Sequence, residues 1–505
     1  MTQRLRILLV RPPQPHLSIG LRHVMVCNPI ELEYVAATCP DHEVRIFDGI
    51  LERGLEDELR TFRPDVVGTS AYINGVGEVA GVVRAARAFA PDARVVVGGV
   101  HATVVPEDFA AAEPDAVVRG DGMAAFREIV ERVARGERDL SAIVGVVPRE
   151  ALVAGRCGDI PRFADPDSLP FPARELTRRH WERYWYVYHR PVTMMKTSFG
   201  CPYRCSFCYC WRITAGEHRV RSPASIAEEL ERIWAPEVYL VDDDFLLSEP
   251  RLWGIHDEIR RRGIRKGFFC YGRSDFIATH PQVVKALSQA GLKAVVVGVE
   301  SPNQDELDAF DKRTDAAVHE QAFAVLREAK VDVYASFILD PRWGDREFRA
   351  LERYIVKNRL YYVILQPLMP LPGTALWEEW RERVFIRRDH HAIWDISHLA
   401  VPSRLSMRRY YAWMLRLYLR SYLSLWRVPG LRLRTMPPLW SREVPRVLWG
   451  CLKIGAQLVA APGHYLPDER EAFRRMRMGL DVERPPCAPI SPGGPSPAQA
   501  ARAGP

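Results

Sequence analysis

Cysteine is scarce in this chain, ten in 505 residues, and no run of about eighteen apolar residues occurs anywhere, which argues against a membrane-spanning helix. The opening MTQRLRILLVRPP reads as a strand stopped by prolines. It lacks the basic segment and apolar core of a secretory leader. Scattered cysteines without a leader argue against a disulfide framework. Net charge is also small: 70 Lys and Arg against 63 Asp and Glu leave +7. A nucleic-acid binder more often concentrates a larger charge in a strongly basic stripe, so nucleic acid is not an expected partner. No G-x-G-x-x-G follows the first strand, and a phosphate-binding lysine loop is missing too. No internal repeat is visible. What remains, at 47% hydrophobic and 26% charged residues, is an ordinary globular composition, long enough for two or three domains and expected in the cytoplasm.

Residues 5–135 alternate strand-length apolar runs (RILLV, HEVRIFD, VVGTSAY, ARVVVGG, DAVVRG) with stretches of helical spacing such as VAGVVRAARAFA. This alternation predicts an α/β domain with a doubly wound, mostly parallel, Rossmann-like sheet over 1–140. Residues 141–190, rich in Pro, Arg and aromatics, read as a linker. A second β-α series over 191–385 holds the candidate strands VTMMKTS, EVYLVDDDF, KGFFCYGR, KAVVVGVE, VDVYASFIL and YYVILQPL. Six strands are too few for a closed eight-strand barrel, so a partial (β/α)6 barrel is predicted, with its chemistry at the carboxyl ends of the strands. A helical region is expected over 386–482. The Pro-, Gly- and Ala-rich stretch 483–505 reads as a disordered tail.

FGCPYRCSFCYCW, residues 199–211, concentrates four of the cysteines. Cys201, Cys205 and Cys208 stand at C-x3-C-x2-C, and Cys210 follows too closely to complete a regular tetrahedron. Structural zinc prefers two separated C-x2-C pairs, and no second pair exists. A cubane iron–sulfur cluster normally takes four cysteines; three would leave one iron open. On the residues alone, a zinc knuckle and an open iron–sulfur cluster both stand.

C-x3-C-x-aromatic-C after the first strand of a β-α barrel, with Phe207 at the aromatic position, resembles the signature of the radical S-adenosylmethionine (SAM) superfamily. The resemblance implies that Cys201, Cys205 and Cys208 hold a 4Fe–4S cluster whose fourth iron is chelated by SAM, with Cys210 a bystander. It further implies SAM contacts at later strand ends. These are Asp243 in VDDDF, among Asp242–Asp244; Arg273 and Ser274 in YGRSD; and Glu300 and Ser301 in GVES. PLPGT, residues 370–374, resembles the family's sixth-strand loop, whereas ILDPRWGD replaces the glycine-rich turn common after the fifth. An external electron donor of flavodoxin or ferredoxin type is implied as a partner.

The first domain resembles the cobalamin-binding domain joined to many radical SAM enzymes. VVGTSAY and VVVGGVHAT place Ser70, Gly98 and Gly99 where that family flanks the nucleotide tail of cobalamin. The D-x-H-x-x-G of cobalamin mutases is absent; His16 in PHLSIG has the wrong spacing, and His101 is expected to shape the domain edge. With both cofactors, the resemblance implies methyl transfer from SAM through methylcobalamin to an unactivated carbon, nearest to the hopanoid C-3 methylase-like branch. A hopanoid-like lipid or another natural product is the expected substrate. Oxidative cyclisation or rearrangement with the same cofactors and a non-catalytic metal-binding protein are the alternatives. Residues 408–434 interleave arginines with leucines and aromatics and contain no acid. That run suits an amphipathic helix on an anionic lipid surface at the inner membrane face. It equally suits a helix packed on the barrel under its own arginine stems.

Overall fold

The computed structural model describes residues 3–425, 434–438 and 440–478. In the first domain β1 (Arg6–Arg11), β2 (Glu43–Asp48), β3 (Val66–Ser70), β4 (Arg94–Gly98) and β5 (Ala116–Val118) form a parallel sheet in the order β2-β1-β3-β4-β5. Successive side chains of these strands enter different cores. Leu8, Val10, Val67, Val95 and Val97 pack with α2 (Leu55–Phe62) and α3 (Val76–Phe89). Ile7, Leu9, Val66 and Val96 pack with α1 (Ile30–Ala37) and α4 (Gly122–Ala134). Burial on both faces is why these strands read as continuous apolar runs. The order turns between β1 and β3, which opens a crevice at the carboxyl ends of the strands.

The segment expected to be a linker is partly sheet. Val146–Pro148 forms β6, antiparallel to β5, as a sixth strand, and Trp185–Tyr186 pairs with Met25–Val26. Three-residue and two-residue pairings carry no alternation long enough to register in sequence.

The second sheet runs β7 (Val192–Met195), β8 (Glu237–Leu240), β9 (Gly267–Gly272), β10 (Leu292–Glu300), β11 (Asp332–Leu339) and β12 (Tyr362–Pro367). All neighbours are parallel and in chain order, and the sheet stays open. Helices α5 (Pro223–Arg232), α6 (Glu249–Arg261), α7 (Pro281–Ala290), α8 (Ala316–Glu328) and α9 (Asp345–Lys357) bury residues such as Leu230, Leu252, Leu287, Phe323 and Leu351 in the core that covers one face of this sheet. The other face is aromatic: Tyr239, Phe269, Tyr334 and Tyr362 cluster there with Tyr186. This is a (β/α)6 half-barrel.

A buried polar network docks the first sheet on the barrel. Met194 N–H donates to Asn28 Oδ1 at 2.7 Å, and the Asn28 amide donates to Glu33 at 2.7 Å. The Thr177 hydroxyl completes Glu33 at 2.5 Å. Glu229, fully buried, is held between Arg174 at 2.6 Å and Arg221.

The C-terminal region is helical: α10 (Met407–Leu425), α11 (Glu443–Ala460) and α12 (Pro467–Met478). α10 buries Tyr410, Tyr411, Met414 and Leu417, and its arginines reach acids of α9, Arg409 to Asp345 and Arg416 to Glu352 at 3.0 Å. Over these residues the arginine-rich run is a packed helix. Residues 426–433 and the stretch 483–505 lie outside the described residues. Among the described residues no helix is long and apolar enough to cross a membrane.

Candidate active site

β7 ends at Met195, and the chain turns across the barrel mouth into the cysteine loop. The backbone N–H groups of Thr197 and Ser198 donate to Asp242 Oδ1 at 2.6 and 3.1 Å, so Asp242 joins the first and second strand ends. Gly200 has φ +79, and a Cβ there would run into Glu217 O and Thr214 Oγ1. Glycine is therefore required before Cys201. Cys208 N–H donates to Cys205 O at 3.1 Å, and Cys210 N–H donates to Cys208 Sγ at 3.4 Å. Phe207 points to the apolar side, edge-on to Phe310 with ring centroids 5.5 Å apart.

Burial pushes the Cys201 thiol up to about 12. Burial also raises Cys205, opposed by the positive charges of Lys312 and Arg273. Cys208 is lowered, chiefly by the hydrogen bond from Cys210. The two cations are themselves locked. Arg273 donates to Lys312 O at 2.6 Å, pairs with Asp275 at 3.1 Å and lies 3.8 Å over the Tyr203 ring. Lys312, buried, donates to Glu300 Oε1 at 2.7 Å. Glu300 sits where the β10 register shifts, with φ +58, a bulge that aims its carboxylate at the lysine. Gly298 makes room, since a Cβ there would come within 2.8 Å of Lys312 Nζ.

Asp243 and Asp244 extend this site differently. Asp243 Oδ2 and both carboxylate oxygens of Asp244 are buried with no hydrogen-bond partner, and burial raises Asp244 to about 8, opposed by Arg273 and Lys312. Unmatched buried acceptors beside a cation pair are costly unless a ligand meets them. Ser274 and Ser301 are instead satisfied locally, Ser274 by His319 at 2.8 Å and Ser301 by Glu306 at 2.6 Å.

Across the mouth stands the carboxyl edge of the first sheet. Ser70 and Gly98 are register partners on β3 and β4. Gly99, at φ +101, backs onto them so closely that a Cβ would lie 3.0 Å from Ser70 Cβ and from Ala71 N. Thr69 Oγ1, next to Ser70, is a buried hydroxyl without a partner. His101 is engaged by Asp108 at 2.6 Å, which Arg388 also holds at 2.6 Å, and His16 is exposed. Neither histidine is aimed at this edge as a free ligand.

Between the two edges lies a crevice that sequence reading missed, lined by Tyr72, Ile73, Val100, Val104, Tyr209 and Leu371. Tyr72 keeps 60% of its surface accessible and Tyr271 37%, yet burial raises both hydroxyls, with Cys210 and Asp243 adding to both. Glu31, accessible and 3.5 Å from Ser70, is likewise raised by burial. Tyr209, from the cysteine loop, interacts with Tyr72, Cys210 and Asp243. At that seam Gly373, of PLPGT, meets the first domain so closely that a Cβ would run into Val104. Lys312, Tyr203 and these tyrosines had no distinguishing spacing in the sequence.

Residues 19–130 match the B12 binding domain, and residues 195–355 match the radical SAM superfamily. The chain therefore joins a B12 binding domain to a radical SAM domain, the domain pair of cobalamin-dependent radical SAM enzymes. Among curated relatives of this radical SAM chain, the hopanoid C-3 methylase of Methylococcus capsulatus is 29% identical over 416 residues, covering 81% of this chain and 78% of the relative. The anaerobic magnesium-protoporphyrin IX monomethyl ester cyclase of Cereibacter sphaeroides is 25% identical over 430 residues, covering 80% and 66%. The fold resembles that of the methyltransferase TsrM from Kitasatospora setae, solved with cobalamin and a [4Fe-4S] cluster, at TM-score 0.60 and 19% identity over 75% of this chain and 78% of that one. It also resembles the cobalamin-dependent enzyme OxsB with aqua-cobalamin bound, at TM-score 0.65 and 14% identity over 95% and 76%.

The cofactors of this radical SAM family are the 4Fe–4S cluster, SAM and cobalamin, and the residues present fit them. Among the described residues no three Cys, His, Asp or Glu side chains converge on a single ion. A cluster takes one thiolate per iron at separate corners, which three thiols spread along one loop can meet. The orphaned oxygens of Asp243 and Asp244 suit a cationic ligand, and the tight Ser70–Gly99 backing with the unmatched Thr69 hydroxyl suits a large ligand tail laid against the sheet edge.

Proposed function

We propose that this enzyme transfers a methyl group to an unactivated carbon of a rigid, largely hydrocarbon substrate, with a hopanoid-like lipid as the leading candidate. When bound, the cluster and SAM supply a carbon-centred radical that abstracts hydrogen, and cobalamin supplies the methyl group. The observation that carries the reading is the crevice lined by Tyr72, Ile73, Val100 and Val104 of the first domain and by Tyr209 and Leu371 of the barrel. A methyl donor and a hydrogen abstractor must address one substrate carbon, and a space shared by both domains supports that. Its aromatic and aliphatic lining supports an apolar polycyclic substrate.

In this reading Cys201, Cys205 and Cys208 hold the cluster, with Phe207 anchoring their loop on Phe310. Asp243 and Asp244 take the SAM ammonium group. Arg273, fixed by Asp275 and the Tyr203 ring, presents positive potential to the SAM carboxylate. Glu300 offers ribose hydroxyls the carboxylate oxygen that Lys312 leaves free. Ser274 and Ser301 act through the elements they hold rather than on ligand. Ser70, Gly98 and Gly99 border the slot for the cobalamin tail. A flavodoxin- or ferredoxin-type protein supplies electrons.

The similarity to a cyclase favours oxidative ring closure as the second reading. Anaerobic reconstitution with cobalamin, SAM, reductant and hopanoids separates the two. Substrate-dependent 5′-deoxyadenosine and S-adenosylhomocysteine in near-equal amounts support methylation, and 5′-deoxyadenosine alone supports ring closure. Neither product from a preparation loaded with iron and cobalamin would reject a hopanoid substrate.

A further inference from the structure

The outward side of α11 is out of character for a surface helix. Leu448, Trp449, Leu452 and Val459 are 48%, 61%, 64% and 70% exposed, and Ala456 lies among them. These positions recur at helical spacing along roughly 16 Å of axis, so they form one continuous apolar face. Trp440, 88% exposed, precedes the helix in the chain. The opposite face is firmly seated: Val444, Val447 and Leu458 are buried, and a Cβ on Gly450 would run into His23 O. The outer residues are therefore held outward by packing. An exposed apolar patch of this continuity marks an interaction surface.

Charge selects the partner. Glu443 is the one acid in α11, and it is already paired with Arg190 at 3.4 Å and with Arg446. Arg442 and Lys453 are exposed beside the apolar face, and Lys453 Nζ lies 5.6 Å over the Trp449 ring. Apolar side chains, two tryptophans and cations that make no ion pair among the described residues match the interface of an anionic bilayer. A second copy of the chain fits worse, because two such faces brought together appose Lys453 and Arg442 with their own counterparts. Residues 479–505 fit worse too, having Leu480, Val482 and Ile490 as their large aliphatic residues. By contrast α10, whose sequence suggested lipid contact, shows Leu419 between arginines that pair with Glu352.

We infer that α11 docks this enzyme on an anionic lipid surface through Leu448, Trp449, Leu452 and Val459, with Lys453 and Arg442 at the headgroups. The contact does not depend on which reaction the barrel performs. The test is co-sedimentation of the reconstituted holoenzyme with phosphatidylcholine vesicles, with and without phosphatidylglycerol, over a salt series. Binding is expected with the anionic lipid and should weaken as salt rises. Leu448→Glu with Leu452→Glu should lower partitioning by about tenfold or more, and Lys453→Glu by roughly fivefold. Circular dichroism and substrate-independent 5′-deoxyadenosine formation should stay unchanged. Quenching of emission by brominated lipid in the wild type, reduced in Trp449→Phe, reports the contact without an acidic substitution. Failure of the wild type to bind anionic vesicles, equal binding by the double variant, or a sedimentation shift from dimer to monomer in that variant would each overturn the proposal.

Discussion

Four cysteines stand on one loop, but they do not share one environment. Cys205 lies near Lys312 and Arg273 and Cys201 near Asp243 and Asp244, whereas Cys210 donates its N–H to Cys208 Sγ and lies near Asp243, Tyr72 and Tyr271. Cys208→Ala should therefore lose most of the iron and the absorbance near ~400 nm that thiolate-bound clusters show, with cobalamin still bound. Cys210→Ala should keep iron content near that of the wild type. Equal losses in both variants would count against the three-cysteine set. Asp244 makes a second residue-level prediction. Its pKa of about 8 lies above the ordinary 3.8, so the fold favours the protonated form. That contribution is fully present below the ordinary carboxylate range and is lost as pH rises through about 8. The melting temperature measured without SAM should fall across that range, and Asp244→Asn should flatten the fall. An unaltered slope in the variant would show that Asp244 is not the group responsible.

At the scale of elements, the first domain meets the barrel along loops whose backbones nearly touch. Gly373 combines φ +86 with a Cβ position already taken by Val104. Gly373→Ala should destabilise the protein by about 1–3 kcal/mol, since it meets both backbone strain and overpacking. Val104→Ala on that background should recover the packing part and leave the strain. Chemical denaturation of the single and double variants measures the split, and equal stability of the two would deny the contact. The same scale explains why the two amphipathic C-terminal helices differ. α10 has acids of α9 opposite its arginines, whereas α11 has a close-packed loop on one side and leaves Leu448, Trp449, Leu452 and Val459 exposed on the other.

For the whole molecule, the crevice between the domains belongs to neither sheet alone. Tyr271 rises from β9, its hydroxyl accepting from Tyr239 at 2.6 Å, and Tyr72 descends from the end of β3. Tyr271→Trp should fill part of the shared space without touching the cysteine loop. Methyl transfer is expected to drop by about tenfold or more through misplacement of the substrate carbon, while substrate-independent SAM cleavage remains. Parallel loss of both activities would mean that Tyr271 supports the SAM site instead.

Much of this was legible along the chain because local chemistry dictates it. Apolar runs of strand length announced two β-α series, C-x3-C-x2-C set three thiols along the loop that follows β7, and Ser70 with Gly98–Gly99 marked the strand ends that the register later paired. Tertiary structure alone decided the rest. Lys312, in the hydrophilic run DAFDKRTD, became a buried partner of Glu300 through a strand bulge. Ser274 and Ser301 were taken by His319 and Glu306. Tyr72 and Tyr271 became neighbours across 199 residues of chain. Spacing encodes what adjacent residues can do together. Burial, pairing and enclosure depend on which distant surfaces packing brings into contact, and no local pattern carries that information.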